Sequence, residues 1–339
     1  MITTISEMQK PINSGFNAYT TAGEVIEGID LTGKTAIVTG GYSGLGKETV
    51  RVLRKAGATV IVPTRNIGSA TENLQDIDGV EIEYMDLLNP ISIDAFAEKF
   101  LATNRPLHLL INSAGIMANP FTKDARGYES QFATNHLGHF QLTAKLWSAL
   151  QKANGARIVS VSSWGHHFSP VVFDDIMFEH RGYERFKAYG QSKTANILFA
   201  VELDKRGKDK NIRAFSVHPG GIVGTGLDKH ISRDDLKKAG VLGEDGKPVI
   251  DPSLNLKTVE QGASTIVWCA VSAQLKNMGG VYCENTDVAI IDDQKQRVWS
   301  LGDSRELNKG VMTYAIDDDN AARLWTVSEA LTGVTFQTN

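Results

Sequence analysis

The segment Lys34-Thr-Ala-Ile-Val-Thr-Gly-Gly-Tyr-Ser-Gly-Leu-Gly-Lys47 decides the fold. Its apolar run at residues 36–38 leads into a glycine-rich turn, and residues 45–56 have the pattern of an amphipathic helix that Gly57 ends. The segment therefore predicts a strand, a loop and a helix. Backbone N–H groups at a helix N-terminus have no intrahelical partner and carry the positive end of the helix dipole, and glycines let a phosphate approach them closely.

Two nucleotide-binding motifs overlap in this turn. Gly40, Gly44 and Gly46 form Gly-x-x-x-Gly-x-Gly, a variant of the dinucleotide fingerprint. Residues 41–47 nearly complete a nucleoside-triphosphate P-loop, but Glu48 stands where that motif requires a magnesium-binding Ser or Thr. A carboxylate at this position would repel a triphosphate, which disfavours the P-loop. A glycine-rich turn without any ligand is the third alternative.

Composition favours a globular protein that acts on a small molecule. The chain has 339 residues, 42% of them hydrophobic, and a net charge of −4, with both signs dispersed, so neither nucleic acid nor a membrane is indicated as a partner. Cys269 and Cys283 are too few and too far apart for a disulfide framework or a Cys-x-x-Cys pair. Residues 1–12 have no apolar signal region, and no run reaches the length of a membrane span. These features predict a cytoplasmic protein.

Apolar runs typical of buried parallel strands alternate with helical segments along the chain. After residues 36–38, the predicted strands are 58–62, 80–85, 107–111, 157–161, 212–217 and 279–283. Further predicted helices are 22–26, 90–101, 128–151, 258–271 and 320–331, the last one capped by Asp317-Asp-Asp319. The alternation predicts an α/β fold: a single-domain, Rossmann-type, doubly wound parallel sheet of about seven strands with helices on both faces. Such sheets bind ligands beyond the carboxyl ends of their strands.

The chain divides into a main domain with two flanking parts. We expect residues 1–30 to form an N-terminal arm on the outside of a domain at residues 31–290, and residues 291–339 to form a C-terminal extension. Residues 226–256 are polar, rich in turns and too long for a simple connection. We therefore interpret residues 222–257 as a lid over the substrate.

Arg65 bears on the choice of dinucleotide. It follows the predicted strand 58–62 through Pro63-Thr64. An acidic residue near this point binds the ribose hydroxyls of NAD, whereas an arginine suits the 2′-phosphate of NADP. Arg65 and the missing acid favour NADP over NAD. A solvated arginine at a strand end is the alternative interpretation.

Tyr189 and Lys193 are four residues apart, so on a helix they share one face. A tyrosine has an ordinary pKa of about 10, and a neighbouring ammonium group lowers it by stabilising the phenolate. We therefore expect Lys193 to lower the pKa of Tyr189, which would make the phenol a general acid or base. A packed tyrosine beside a solvated lysine is the alternative.

Together these motifs resemble the short-chain dehydrogenase/reductase family over residues 30–284. Within that family the chain is similar to the retinol-dehydrogenase-like and WW-domain-containing oxidoreductase branch, on the evidence of residues 21–33, 189–196 and 217–220. The family motifs present in this chain are Thr39-Gly40-x-x-x-Gly44-x-Gly46, Asp86, Asn112-x-Ala-Gly115, Asn135, Ser163, Tyr189-x-x-x-Lys193 and Pro219-Gly220.

The resemblance implies four catalytic residues. Tyr189 would exchange a proton with the substrate oxygen, and Ser163, rather than Ser162, would hold that oxygen by a hydrogen bond. Lys193 would bind the nicotinamide ribose, and Asn135 would anchor a water in the proton relay. Tyr189, Lys193 and the following residues are the implied cofactor contacts: Gly40, Tyr42, Ser43, Gly44, Leu45, Gly46, Arg65, Asp86, Leu87, Asn112, Ala114, Gly115, Pro219, Gly220, Ile222 and Thr225.

These residues imply an NAD(P)-dependent oxidoreductase. It would interconvert an alcohol and a ketone or aldehyde by hydride transfer, with NADPH preferred, NAD as the alternative and a fairly apolar substrate. A non-catalytic dinucleotide sensor of the same fold is the alternative function. No metal site is expected, because His136, His139, His166 and His167 have no Cys or acid at ligand spacing. The family commonly pairs through its long helices, so a homo-oligomer is an open expectation.

Overall fold

The computed structural model describes residues 5–293 and 309–336. Residues 1–4 of the predicted arm, and residues 294–308 and 337–339 of the predicted extension, lie outside the described residues. Within the described ranges, no helix combines the length and the apolar composition needed to cross a membrane.

An eight-stranded sheet forms the centre of the molecule. Its strands are β1 Thr35–Thr39, β2 Thr59–Thr64, β3 Val80–Tyr84, β4 Leu109–Asn112, β5 Ala156–Val161, β6 Ile212–His218, β7 Tyr282–Glu284 and β8 Asp287–Val288. Their order is β3-β2-β1-β4-β5-β6-β7-β8, and only β8 runs antiparallel to its neighbour. The predicted doubly wound parallel sheet is confirmed. The direction of winding reverses between β1 and β4, which creates a crevice beyond their carboxyl ends.

Helices cover both faces of this sheet. The α-helices of the described residues are α1 Ile5–Met8, α2 Ala22–Ile26, α3 Gly44–Lys55, α4 Ile67–Asn73, α5 Pro90–Ala102, α6 Ser130–Phe132, α7 Gly138–Lys145, α8 Trp147–Lys152, α9 Arg185–Gly207, α10 Arg233–Lys238, α11 Val259–Val271 and α12 Asp318–Thr332. Side chains alternate along β1, so Ala36 and Val38 pack with α3 and α11, while Ile37 packs with α5, α7 and α9. Two further strands, β9 Ile291–Asp292 and β10 Val311–Met312, pair in parallel outside the sheet.

The predicted continuous helix at residues 128–151 is wrong. The Glu129 carboxylate caps α6 by accepting hydrogen bonds from the N–H groups of Gln131 and Phe132, and a π-helical turn, Ala133–Leu137, follows. A second break at Leu146 separates α7 from α8. Neither break has a proline, and the π-turn has no glycine inside it, so residue type gave no signal. The π-turn carries Asn135, in line with the association of such turns with functional sites.

Both ends of the described chain pack against the main domain. The Gln9 side chain donates hydrogen bonds to the carbonyls of Tyr282 (2.8 Å) and Ala289 (2.7 Å). At the other end, Asp317 caps α12, and Trp325 packs with ring centroids 5.2 Å from Phe140 and 4.3 Å from Phe336. The C-terminal helix therefore contributes to the core behind α9.

Replacing Trp325 with alanine should destabilise the whole domain. The indole is 2% exposed, so its loss leaves a cavity, and we expect a decrease of about 3–5 kcal/mol in the free energy of unfolding. Urea denaturation measures this decrease. The exposed Thr326→Ala on the same helix should change stability by less than about 0.5 kcal/mol. Equal stability of Trp325→Ala and Thr326→Ala would show that α12 is not part of the cooperative core.

Candidate active site

The glycine turn brings the backbone close to the crevice. Gly40 has a φ of +68°, and a Cβ on Gly46 would lie 2.2 Å from the Gly40 carbonyl oxygen, so the turn and α3 can approach only because Gly46 has no side chain. Ser43 precedes α3 without a side-chain capping bond. The N-terminus of α3 is thus left for a ligand anion, which is the arrangement that holds a phosphate.

The P-loop interpretation does not fit the structure. The Lys47 ammonium forms an ion pair with Asp76 at 2.7 Å, and the Glu48 carboxylate accepts two hydrogen bonds from Arg51. Neither Lys47 nor Glu48 lines the crevice. The lysine of a P-loop would instead have to reach the phosphates.

A cavity of about 690 Å³ lies at the carboxyl edge of the sheet, within the usual size range of small-molecule sites. The structure gathers around it every site residue predicted from the sequence except Asn112 and Asn135. Arg65 is exposed at one end, beyond β2, and makes no hydrogen bond or ion pair with any described residue. Asn112 is buried below the cavity, with its Nδ2 3.5 Å from Thr143 Oγ1.

Tyr189 and Lys193 lie on α9, with the Lys193 Nζ 5.5 Å from the centroid of the Tyr189 ring. Nζ donates a hydrogen bond to the Val161 carbonyl at 3.0 Å. Burial raises the pKa of Tyr189 to about 12, although a hydrogen bond with Ser163 opposes this, and burial lowers the pKa of Lys193 to about 8. The expectation that Lys193 lowers the Tyr189 pKa is wrong for this structure, because desolvation of the phenolate dominates.

Asn135 lies behind the cavity and holds two of its walls together. Its Oδ1 accepts a hydrogen bond from the Ile116 N–H at 2.9 Å, and its Nδ2 donates to the Ile116 carbonyl at 3.0 Å and to Ser192 Oγ at 2.9 Å. The side chain therefore joins the loop after β4 to α9. Both Nδ2 hydrogens are used, so Asn135 can act on a water only through its side-chain and backbone oxygens.

His139 extends this network to the first strand. Its Nδ1 lies 3.0 Å from the Asn135 carbonyl, and its Nε2 lies 2.9 Å from Thr39 Oγ1, which accepts hydrogen bonds from the N–H groups of Ser113 and Ala114. Burial lowers the pKa of His139 to about 4, so the ring is neutral near pH 7. Nδ1 then carries the proton and donates to Asn135. Sequence reasoning missed this role, although the spacing of four residues on a helix was a usable signal.

Ser163 is placed by the turn that follows β5. Its Oγ accepts a hydrogen bond from the Gly165 N–H at 3.0 Å, and its carbonyl accepts one from His166 Nδ1 at 2.7 Å. The other ring nitrogen of His166 accepts a hydrogen bond from the Met312 N–H at 3.2 Å. His166 thus connects the serine turn to β10, a contact that no sequence pattern indicated. Ser162 Oγ donates to the Lys193 carbonyl instead, at 2.8 Å.

The segment 222–257 forms the outer wall of the cavity. Its apolar residues line the same cavity as Trp164, Phe168 and Phe186. Arg185, at the start of α9, donates a hydrogen bond to the His230 carbonyl at 3.1 Å and lies 3.8 Å from the Asp235 carboxylate. The lining residues of this segment are Ile222, Val223, Thr225, Gly226, Leu227, Asp228, Lys229, His230, Ile231, Leu236, Ala239, Val241, Leu254 and Asn255.

The histidines singled out in the sequence are structural in position. His136 Nε2 lies 2.7 Å from Ser328 Oγ on α12, and His167 Nε2 lies 3.4 Å from the Asp292 carboxylate. Among residues 5–293 and 309–336, no three His, Cys, Asp or Glu side chains are grouped as metal ligands.

Two buried charged side chains lie under the Pro219-Gly220 turn. A Cβ on Gly220 would lie 2.9 Å from Lys257 Cδ, and Glu284 Oε1, at the end of β7, accepts a hydrogen bond from the Gly310 N–H at 2.8 Å. Burial lowers the pKa of Lys257 to about 8 and raises the pKa of Glu284 to about 7. Opposite charges attract across this pair, but desolvation outweighs the attraction in both groups.

A glycine turn at the reversal point of a parallel sheet, beside a buried Tyr-Lys pair, defines a dinucleotide-dependent oxidoreductase site. The chain belongs to the short-chain dehydrogenase family, whose model matches residues 34–236. The family resemblance and the predicted oxidoreductase class are therefore confirmed. Members of this family use NAD or NADP.

Related proteins are similar over most of the chain. A Streptomyces antibioticus protein named "Probable oxidoreductase" is 41% identical over 304 residues, covering 88% of this chain and 97% of its own. Human retinol dehydrogenase 12 is 36% identical over 315 residues, covering 91% and 89%. The chicken (Gallus gallus) WW domain-containing oxidoreductase is 34% identical over 288 residues, covering 81% and 67%.

Two solved structures are similar in fold. An uncharacterised protein from Mycobacterium paratuberculosis has 30% identity and a TM-score of 0.69, over 92% of this chain and 98% of the other. The RhlG–NADP complex of Pseudomonas aeruginosa has 20% identity and a TM-score of 0.57, over 75% and 95%.

The buried Glu284 should make stability depend on pH. Its pKa is raised from 4.5 to about 7, so the folded state holds the proton more tightly than the unfolded state. The resulting stabilisation is complete below pH 4.5 and is lost as the pH rises to 7. Urea denaturation from pH 4.5 to pH 7 should show that the free energy of unfolding of the wild type falls by on the order of 3 kcal/mol relative to that of Glu284→Gln. If the difference in the free energy of unfolding between the wild type and Glu284→Gln does not vary with pH, the burial of this carboxyl is contradicted.

Proposed function

We propose that the protein is an NADPH-preferring alcohol dehydrogenase or carbonyl reductase with a fairly apolar substrate. The observation that carries the proposal is the meeting of Ser163, Tyr189 and Lys193 with the glycine turn around one cavity. The cavity fits a dinucleotide because the close approach of Gly46 to Gly40 and the uncapped N-terminus of α3 form a phosphate cradle. The exposed guanidinium of Arg65 would bind the 2′-phosphate, and Asp86 would hold the adenine.

Tyr189 would supply the proton in the reducing direction. With a pKa raised to about 12, its phenol is protonated at neutral pH and can donate to the substrate oxygen. Ser163 would donate a second hydrogen bond to that oxygen and stabilise the negative charge that develops there. The bound nicotinamide supplies the hydride.

Lys193 and Asn135 would support this proton transfer. Lys193 Nζ is held by the Val161 carbonyl beside Tyr189, within the cavity, so it would hold the nicotinamide ribose. The Asn135 carbonyl has a second lone pair beyond its bond from His139, which leaves it able to anchor a water. Tyr189 would then be reprotonated through Lys193 and this water.

Tyr189→Phe should lower kcat by at least about 100-fold, because it removes the proton donor and leaves the ring in place. The Kd for NADPH, from fluorescence titration, should change less than about threefold. Turnover is followed by the absorbance of the reduced nicotinamide with a panel of ketones and aldehydes. Tyr84→Phe, at a tyrosine that is 54% exposed, is the matched control and should retain activity. Full activity of Tyr189→Phe would refute the assignment.

Arg65→Ala should weaken NADPH binding by roughly 10-fold or more and change NADH binding little, because only NADPH has the 2′-phosphate. Parallel fluorescence titrations with both cofactors give the ratio of the two Kd values. Lys55→Ala removes an exposed positive charge from the end of α3, outside the cavity, and should leave that ratio unchanged. Equal losses for NADPH and NADH in Arg65→Ala would argue against NADP preference.

A further inference from the structure

Four polar side chains form one patch in the cavity, which we call the polar wall: Asn119, Thr122, Ser130 and Thr134. Asn119 and Thr122 lie on the loop after β4, Ser130 begins α6, and Thr134 lies in the π-turn. Asn119 Nδ2 donates a hydrogen bond to Ser130 Oγ at 2.8 Å, and Thr122 Oγ1 donates to the same atom at 2.8 Å.

Asn119 presents an acceptor without a partner. Its Nδ2 also donates to the Pro120 carbonyl at 3.1 Å, and because a carbonyl can only accept, this bond fixes which end of the amide is nitrogen. The remaining atom, Oδ1, is buried and has no hydrogen-bond partner in the described chain, and the residue is only 7% exposed. A buried amide oxygen in this condition is costly unless a ligand donates to it.

Thr134 adds a hydroxyl that is also unpartnered. Its Oγ1 is buried and has no hydrogen-bond partner among the described residues, with the residue 9% exposed. It follows Ser130 by four residues, so the two share a helical face. Ser130 Oγ already accepts two hydrogen bonds and lies 3.5 Å from Glu129 Oε1, so its capacity is used. The wall therefore has one acceptor and one hydroxyl without a hydrogen-bond partner among the described residues, and both oxygens are shielded in this structure.

The polar wall adjoins the catalytic helix rather than the Arg65 end of the cavity. The Asn119 carbonyl lies 3.3 Å from the Tyr183 hydroxyl, and Gln131, between Ser130 and Thr134, donates a hydrogen bond to the Arg185 carbonyl at 3.0 Å. Arg185 begins α9 and precedes Phe186, an apolar lining residue. We therefore assign the polar wall to the substrate part of the cavity, at the end that adjoins the start of α9.

We propose that the polar wall binds a neutral hydroxyl or carboxamide group of the substrate, so that the substrate is an apolar carbonyl compound with a second polar group away from its carbonyl. This inference rests on the proposed function. A hydroxyl or carboxamide would donate to Asn119 Oδ1 and accept from the Thr134 hydroxyl once these two shielded side chains turn toward it. A carboxylate has no proton to donate, and the Glu129 carboxyl behind Ser130 disfavours a second negative charge.

The test compares straight-chain methyl ketones of several lengths with the same ketones carrying a terminal hydroxyl, carboxamide or carboxylate. For the best length, kcat/KM with NADPH should be at least about 10-fold higher for the hydroxyl or carboxamide compound than for the plain ketone, and the carboxylate should give no gain. Thr134→Val keeps the shape and removes the hydroxyl, and should lower that ratio at least about threefold, because only the Asn119 contact remains. Thr71→Val, at an exposed threonine of α4, should keep the wild-type ratio.

Binding to the NADPH-saturated protein, measured as a shift in Tm with the same compounds, separates the two proposals. If none is reduced but the hydroxyl or carboxamide compound stabilises the wild type more than Thr134→Val, the proposed function fails and the polar wall stands. Two outcomes would overturn the polar wall as a binding site for a second polar group. In one, the plain and substituted ketones bind equally to both proteins. In the other, Thr134→Val weakens the binding of all compounds by the same factor.

Discussion

The geometry of the site depends on the hydrogen bonds of the buried Asn135 side-chain amide. It bonds both backbone groups of Ile116 and the hydroxyl of Ser192, and its own carbonyl continues through His139 to Thr39 at the end of β1. Asn135, Ser192, His139 and Thr39 are all buried, so water cannot readily replace a hydrogen bond lost between their side chains. The loop that would contact the cofactor and the helix that carries the proposed catalytic pair, Tyr189 and Lys193, are therefore held as one unit.

The sheet could be predicted from the sequence because buried parallel strands are continuous apolar runs. β1, β2 and β4 satisfy this pattern, and the carboxyl ends of β1, β4 and β6 bring Gly40, Asn112 and Pro219 to one edge. The path of residues 128–152 could not be predicted, because the π-turn and the break at Leu146 depend on tertiary contacts. The short strands β8, β9 and β10 were missed because two residues carry no periodicity.

The catalytic candidates could be found because their chemistry depends on residue type at a fixed spacing, as in Tyr189 and Lys193. Their supporting contacts depend on pairs far apart in the sequence, such as His166 with Met312, and no local pattern indicates these. The prediction for the Tyr189 pKa considered only the charge of Lys193, which would lower this pKa. Burial raises it instead. Desolvation depends on how the side chain is packed, so it can be assessed only from the three-dimensional structure.

In the proposed reaction, a hydride passes between a nicotinamide and a carbonyl carbon that are both bound in this cavity. Its most direct test uses NADPH deuterated at both hydrogens of the nicotinamide C4, incubated with the protein and the ketone panel, with the alcohol product analysed by mass spectrometry. We predict one deuterium on the carbinol carbon of each alcohol formed. NADPH binding without labelled alcohol from any ketone or aldehyde would contradict the claim and favour a non-catalytic dinucleotide-binding protein.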